Sequence, residues 1–194
     1  MINKEKDLLL RNLVKIESGL AKIYNHFSTK KDFTVPVRKF WRSLALEEEL
    51  HADIFDEFRE AMNNDGIPGV INVSIDKLKE FAGKVNRLTK EVTVKKISES
   101  EAYSMGALIE AELDEAGFIQ MIETTDQKFI GLLKRIENDT KNTESCWLTI
   151  QEASNDTIVN GEQASAINRY KIPVWRLLRP DSSFIYLFFF KFIF

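Results

Sequence analysis

The strongest constraint on this chain is a set of acids placed where a helix needs hydrocarbon. Between Pro36 and Asn63, the positions Val37, Trp41, Leu44, Glu48, His51, Phe55 and Phe58 recur in steps of three and four, which gathers them on one helical stripe. Glu48 and His51 therefore stand one turn apart inside an apolar face. The preceding segment repeats the anomaly with Leu10, Leu13, Val14, Glu17, Leu20 and Tyr24. A buried carboxylate without a partner is costly enough to be rare. Two such acids and an imidazole at mid-helix on neighbouring helices demand a cation between them, and a metal is the leading candidate.

The rest of the chain supplies the helices that would enclose such a site. Glycine (8) and proline (4) are scarce, and the long periodic runs are rich in Leu, Ala, Glu, Lys and Ile, which favours an all-α protein. The first helix should run from about Lys4 to Phe27 and the second from Thr34, with Pro36 in the first turn where its missing N–H costs nothing. The polar link Ser28–Asp32 is short, so these two are antiparallel neighbours. A cluster of breakers at 63–69 ends the second helix, and a weaker amphipathic segment follows from Ser74 to about Val92. Ser98 with Glu101 forms a capping box that opens a helix to about Glu123; Thr124 with Gln127 repeats the pattern for a last helix over 125–142. Two antiparallel pairs joined by one long crossover give an antiparallel four-helix bundle over residues 1–142, with an extra helix inside the crossover.

Beyond it, 143–182 reads as a helical extension of uncertain pattern and 183–194 as a hydrophobic tail without helical period. As a helix that tail would cover ~18 Å, short of the ~30 Å of a bilayer core.

Each bundle helix carries an interior acid. The third gives Met105, Leu108, Glu112, Glu115 or Ala116, Ile119 and Ile122; the fourth gives Ile130, Leu133, Glu137 and Thr140. Four carboxylates cannot share a small dry volume as free anions, because like charges raise one another's pKa until some are protonated. Two divalent or trivalent cations remove the conflict, and a donor set of carboxylates with imidazole suits iron or manganese.

Several classes are disfavoured. A net charge of -3 with no basic stripe leaves no electrostatic footprint for nucleic acid. Cys146 is the single cysteine, so there is no disulfide framework and no Cys-x-x-Cys pair for sulfur-held iron or zinc. The charged N-terminus lacks the apolar core of a secretory signal, which makes the cytoplasm the expected compartment. His26 lies about 200° around the helix from Tyr24 and is expected to face solvent.

The stretch from Glu17 through Tyr24, followed by Glu47-Glu48-Glu49-Leu50-His51, resembles the first half of rubrerythrin-type members of the ferritin-like superfamily. That resemblance covers about Lys4 to Asn142 in architecture and is specific in its motifs only over the first hairpin. It implies a ferritin-like bundle with a di-iron site, two iron ions per chain or manganese in their place. Glu17 would be a terminal ligand of one iron, Glu48 a bridging carboxylate and His51 a nitrogen ligand. Glu112 would serve the second iron, Glu137 would be the second bridge, and Glu115 would stand where rubrerythrins carry a switching glutamate. The implied activity is oxidation of Fe(II) or reduction of peroxide or dioxygen, in a homodimer, with a separate electron donor because the family's rubredoxin module is absent. One departure opens an alternative: Thr140 stands where the pattern wants a histidine. The alternative is a degenerate ferritin-like bundle that binds one metal or none and acts as a non-enzymatic interaction module.

Overall fold

The computed structural model describes residues 4–64, 66–72, 74–116, 122–141 and 143, without the side chains of 114–116. Apart from Thr143, the expected extension and tail lie outside the described residues. Among those described, the order is α1 (Lys4–Ser28), α2 (Val35–Asn64), β1 (Gly69–Ile71), α3 (Ile75–Val94), α4 (Glu99–Ala116), β2 (Ile122–Thr124) and α5 (residues 127–141). The protein is mostly helical, as its composition implies.

Contacts between side chains fix the helix directions. Tyr24 packs on Trp41 at one end of the α1/α2 pair, and Arg59 and Asn63 both donate to Asp7 at the other, so the two helices are antiparallel. On α4, Tyr103 meets Trp41 and Phe40; one end of α5 meets α2 through Phe129 on Phe58, the other through Asp139 beside His51. Along α2 His51 comes before Phe58, whereas along α5 the partner of His51, Asp139, comes after the partner of Phe58, Phe129, so α5 runs against α2. The helix α3 packs on α1, where a Cβ on Gly19 would stand 2.5 Å from Val85 Cγ1. Glycine at 19 is what lets the two backbones approach.

The inward stripes of the first two helices form as expected: all seven named α2 positions are buried, as are Leu10, Leu13, Glu17, Leu20 and Tyr24 of α1, while Val14 is half-buried. The capping box at the start of α4 is also present. Glu101 accepts from the Ser98 N–H at 2.8 Å, and the Glu101 N–H donates to Ser98 Oγ at 3.3 Å.

Two boundaries differ from expectation. The described part of α4 ends at Ala116, residues 117–121 lie outside the described residues, and by Ile122 the chain is no longer helical, short of the expected Glu123. Ile122–Thr124 is instead a short strand paired antiparallel with Gly69–Ile71, a local contact between the two inter-helix links. Thr124 accordingly does not cap the last helix. Its hydroxyl donates to the Pro68 carbonyl at 2.7 Å, and the cap is Asp126, which accepts from the Phe129 N–H at 3.1 Å. No helix of the described residues is long and apolar enough to cross a membrane.

Candidate metal centre

Glu17 from α1 and Glu48 with His51 from α2 meet at mid-helix, each less than a tenth exposed. One ligand atom from each lies within 4.8 Å of the other two. The antiparallel α1/α2 pairing brings them to one level, and the three-residue step from Glu48 to His51 keeps both on the same face.

The neighbourhood is more acidic than the three alone. Glu110 of α4 is buried, and its Oε1 accepts a 2.5 Å hydrogen bond from the Tyr24 hydroxyl. Asp139 of α5 is buried too, with Oδ2 3.5 Å from His51 Nε2, while His51 Nδ1 lies 3.2 Å from Glu48 Oε2. Each of α1, α2, α4 and α5 thus contributes a buried acid. Arg135 approaches Asp139 at 3.8 Å from the outer side.

The electrostatics follow from this crowding. Burial, and then the Glu48 charge beside it, pushes the Glu17 carboxyl well above the usual carboxylate range. Burial and Glu48 raise Glu110 to about 8, although the Tyr24 hydrogen bond works against the rise. For His51, burial alone would favour the neutral ring, but the carboxylates of Asp139 and Glu48 outweigh it and hold the imidazole well above its ordinary value. Without a metal, the shifts of Glu17, Glu110 and His51 all favour the proton-bound form of each group.

Of the expected ligands, the structure brings together Glu17, Glu48 and His51. It does not bring Glu112 to them: that side chain is half-exposed on the other face of α4 and pairs with Lys84 of α3. Glu137 is likewise directed outward and pairs with Lys141, 2.6 Å away and one turn on. Glu115 sits in the last turn of α4, and its side chain lies outside the described residues. The inward positions of α4 are Ala102, Gly106, Ile109, Glu110 and Leu113, and Leu108 is exposed; those of α5 are Phe129, Leu133, Ile136 and Asp139. Glu110 and Asp139 are the acids the sequence reading passed over. The small pair Ala102 and Gly106, spaced one turn before Glu110, was the available signal for α4, and Phe129 was that for α5. His26 is half-buried rather than solvent-facing, with burial and the nearby Lys30 lowering its pKa against a hydrogen bond that its ring donates to the Val92 backbone.

The residues present suit a cation. Two carboxylates and an imidazole form an oxygen and nitrogen donor set of the kind iron and manganese take. Glu17 Oε2 is buried and has no hydrogen-bond partner among the described residues, which leaves an oxygen that a ligand could satisfy. Asp139 behind His51 Nε2 is placed as the outer carboxylate that orients a ligating histidine and strengthens its donation. Comparison with protein-family models, with characterised proteins and with solved structures finds no match for this chain.

Proposed function

We propose that this protein is a ferritin-like metalloprotein that oxidises Fe(II), or reduces peroxide or dioxygen, at iron held by carboxylates and one histidine. The observation that carries the reading is the convergence of Glu17, Glu48 and His51, with their donor atoms within 4.8 Å in a dry interior. The helix directions support the ferritin-like part. An antiparallel α1/α2 pair, a helix α3 packed on α1 and a last helix that opposes α2 are what a one-crossover bundle would require of these elements.

In this reading Glu17, Glu48 and His51 hold one ion. Glu110 takes the place expected of Glu112 as the buried acid of α4, and Asp139, in place of Glu137, stands behind His51 as its outer carboxylate. Iron would supply one-electron redox chemistry and an open coordination position for a small oxidant. The chain's own residues do the rest. His51 gives up its Nδ1 proton as the cation enters, and Asp139 keeps the ring's orientation through Nε2. Tyr24 steadies Glu110, and the aromatic side chains Trp41, Phe55 and Phe58 keep bulk water from the site. A homodimer, a cytoplasmic location and a separate electron donor complete the proposal.

One observation favours a second reading, a metal-free bundle with a polar core. Both His51 nitrogens already face carboxylates, so a protonated imidazole can itself act as the internal cation. Glu48→Ala separates the two. Under the metal reading the variant loses iron and the turnover of Fe(II) or peroxide. Under the second, neither wild type nor variant retains iron, and the variant loses stability because the buried His51 imidazolium has lost one of its two carboxylates.

A further inference from the structure

We propose that the end of the bundle where α1 and α3 finish and α2 and α4 begin is a docking face for an anionic phospholipid surface. The face is separate from the acid cluster, and the proposal stands apart from the reading of that cluster as an iron centre. Its position follows from the helix directions. α1 and α2 are antiparallel, with Tyr24 against Trp41 near this end. α3 meets α1 at Gly19 and Val85 and again, further along both chains, where Lys30 Nζ donates to the Lys95 carbonyl at 3.5 Å, so α3 runs the same way as α1. The Thr34 N–H donates to Glu99 and brings the start of α4 to the same place.

The fold gathers there cations that the sequence keeps apart. Residues 21–46 and 85–98 hold ten lysines and arginines against two acids, Asp32 and Glu91, although neither run alone reads as a basic stripe. Three of the acids at this end are already engaged: Glu91 pairs with Lys95, Glu99 accepts from Thr34 and Glu101 accepts from Ser98. Lys31, Lys90 and Lys96 are exposed and have no ion pair among the described residues. Toward the far end of α2 the sign reverses, with Asp53, Asp56, Glu57 and Glu60 against Arg59. This separation of charge along the helices turns the basic end toward a negative surface and the acidic end away from it.

Apolar side chains favour a bilayer over other polyanions. Val94, the last residue of α3, is 83% exposed, and Val35, the first of α2, is 54% exposed, so bare hydrocarbon stands among the cations. The phosphates of a nucleic acid offer these valines nothing. The boundary between lipid headgroups and acyl chains takes up apolar side chains that lie among basic ones. The segment 184–194 adds a second signal in the sequence: six phenylalanines and a single charge, Lys191. A short apolar attachment and a basic patch are each marginal alone, and peripheral anchoring takes two such signals on one chain.

The test is co-sedimentation of the full chain with phosphatidylcholine vesicles, with and without phosphatidylserine, at low and at physiological salt. Binding should require phosphatidylserine and weaken as salt rises. Lys31→Gln, Lys90→Gln and Lys96→Gln made together should lower the affinity on the order of a hundredfold, since each cation near an anionic surface is worth about a fivefold change. Lys4→Gln, Lys77→Gln and Lys79→Gln remove the same charge from the opposite end and should leave binding nearly unchanged. Circular dichroism establishes that both variants are folded. The proposal is overturned if the chain leaves both kinds of vesicle unbound, if it sediments equally with both, or if the two sets of substitutions have the same effect. Binding to a DNA oligonucleotide without binding to vesicles would mark a nucleic-acid face and overturns it equally.

Discussion

Glu110→Gln isolates the electrostatic strain of the cluster, because it keeps the shape of the side chain and removes its charge. The Glu110 carboxyl is raised from an ordinary value near 4.5 to about 8 by burial and by Glu48. A group raised on folding contributes stability that is fully present below its unfolded pKa and is lost as pH rises through its folded pKa. For Glu110 that window runs from about 4.5 to about 8. Each unit is worth ~1.4 kcal/mol, so at about pH 7 the metal-free protein carries a penalty on the order of 3 kcal/mol from this one carboxyl. The amide in Glu110→Gln has no such penalty, and its carbonyl still accepts from the Tyr24 hydroxyl. Urea unfolding with a chelator present, followed by circular dichroism across this pH range, measures the effect. The variant should gain on wild type steadily as pH rises from about 4.5, reach a difference on the order of 3 kcal/mol near pH 7 and gain no more above about pH 8. Parallel stability profiles for the two proteins would refute the claim that Glu110 holds a proton in the folded state.

The remaining predictions concern the fold and the membership of the site. Gly19→Ala should destabilise the protein by ~1–3 kcal/mol in thermal unfolding, because its Cβ meets the stiff Val85 side chain at 2.5 Å, and Gly19→Ala combined with Val85→Ala should recover part of that loss. Glu112→Gln and Glu137→Gln should leave metal content unchanged and cost at most ~1 kcal/mol each, since both acids sit in partly exposed ion pairs with lysines; loss of metal in either would place it in the site after all. Asp126→Ala should cost ~1 kcal/mol through loss of the α5 cap, while Gln127→Ala should be nearly neutral in the same unfolding assay.

The first hairpin was legible because its signals agree. Trp41, Leu44, Phe55 and Phe58 are large enough to fix the phase of α2 without ambiguity, and that phase puts Glu48 and His51 inside. α4 offers weaker evidence. Its face toward the other helices is lined by Ala102 and Gly106, which a hydrophobicity pattern reads as neutral, while the bulky Leu108 projects outward. A phase drawn through Met105 and Leu108 therefore selects Glu112 instead of Glu110. On α5, starting the stripe at Ile130 instead of Phe129 turns it enough to choose Glu137 over Asp139. The strand at Ile122–Thr124 was hidden for another reason: its partner Gly69–Ile71 is some fifty residues away, and no local pattern announces a pairing that three residues on each side make. Where a side chain's bulk decides the phase, sequence suffices; where small residues permit close approach, the partner helix decides.

The most direct measurement is the stoichiometry of Fe(II) bound to the purified full chain under anaerobic conditions, by elemental analysis after removal of unbound metal. At least one iron per chain, abolished together by Glu17→Ala, Glu48→Ala and His51→Ala made singly, is the result expected if these three side chains hold a cation. Less than one iron per chain in wild type, or full retention in all three variants, would mean that their convergence serves the fold alone.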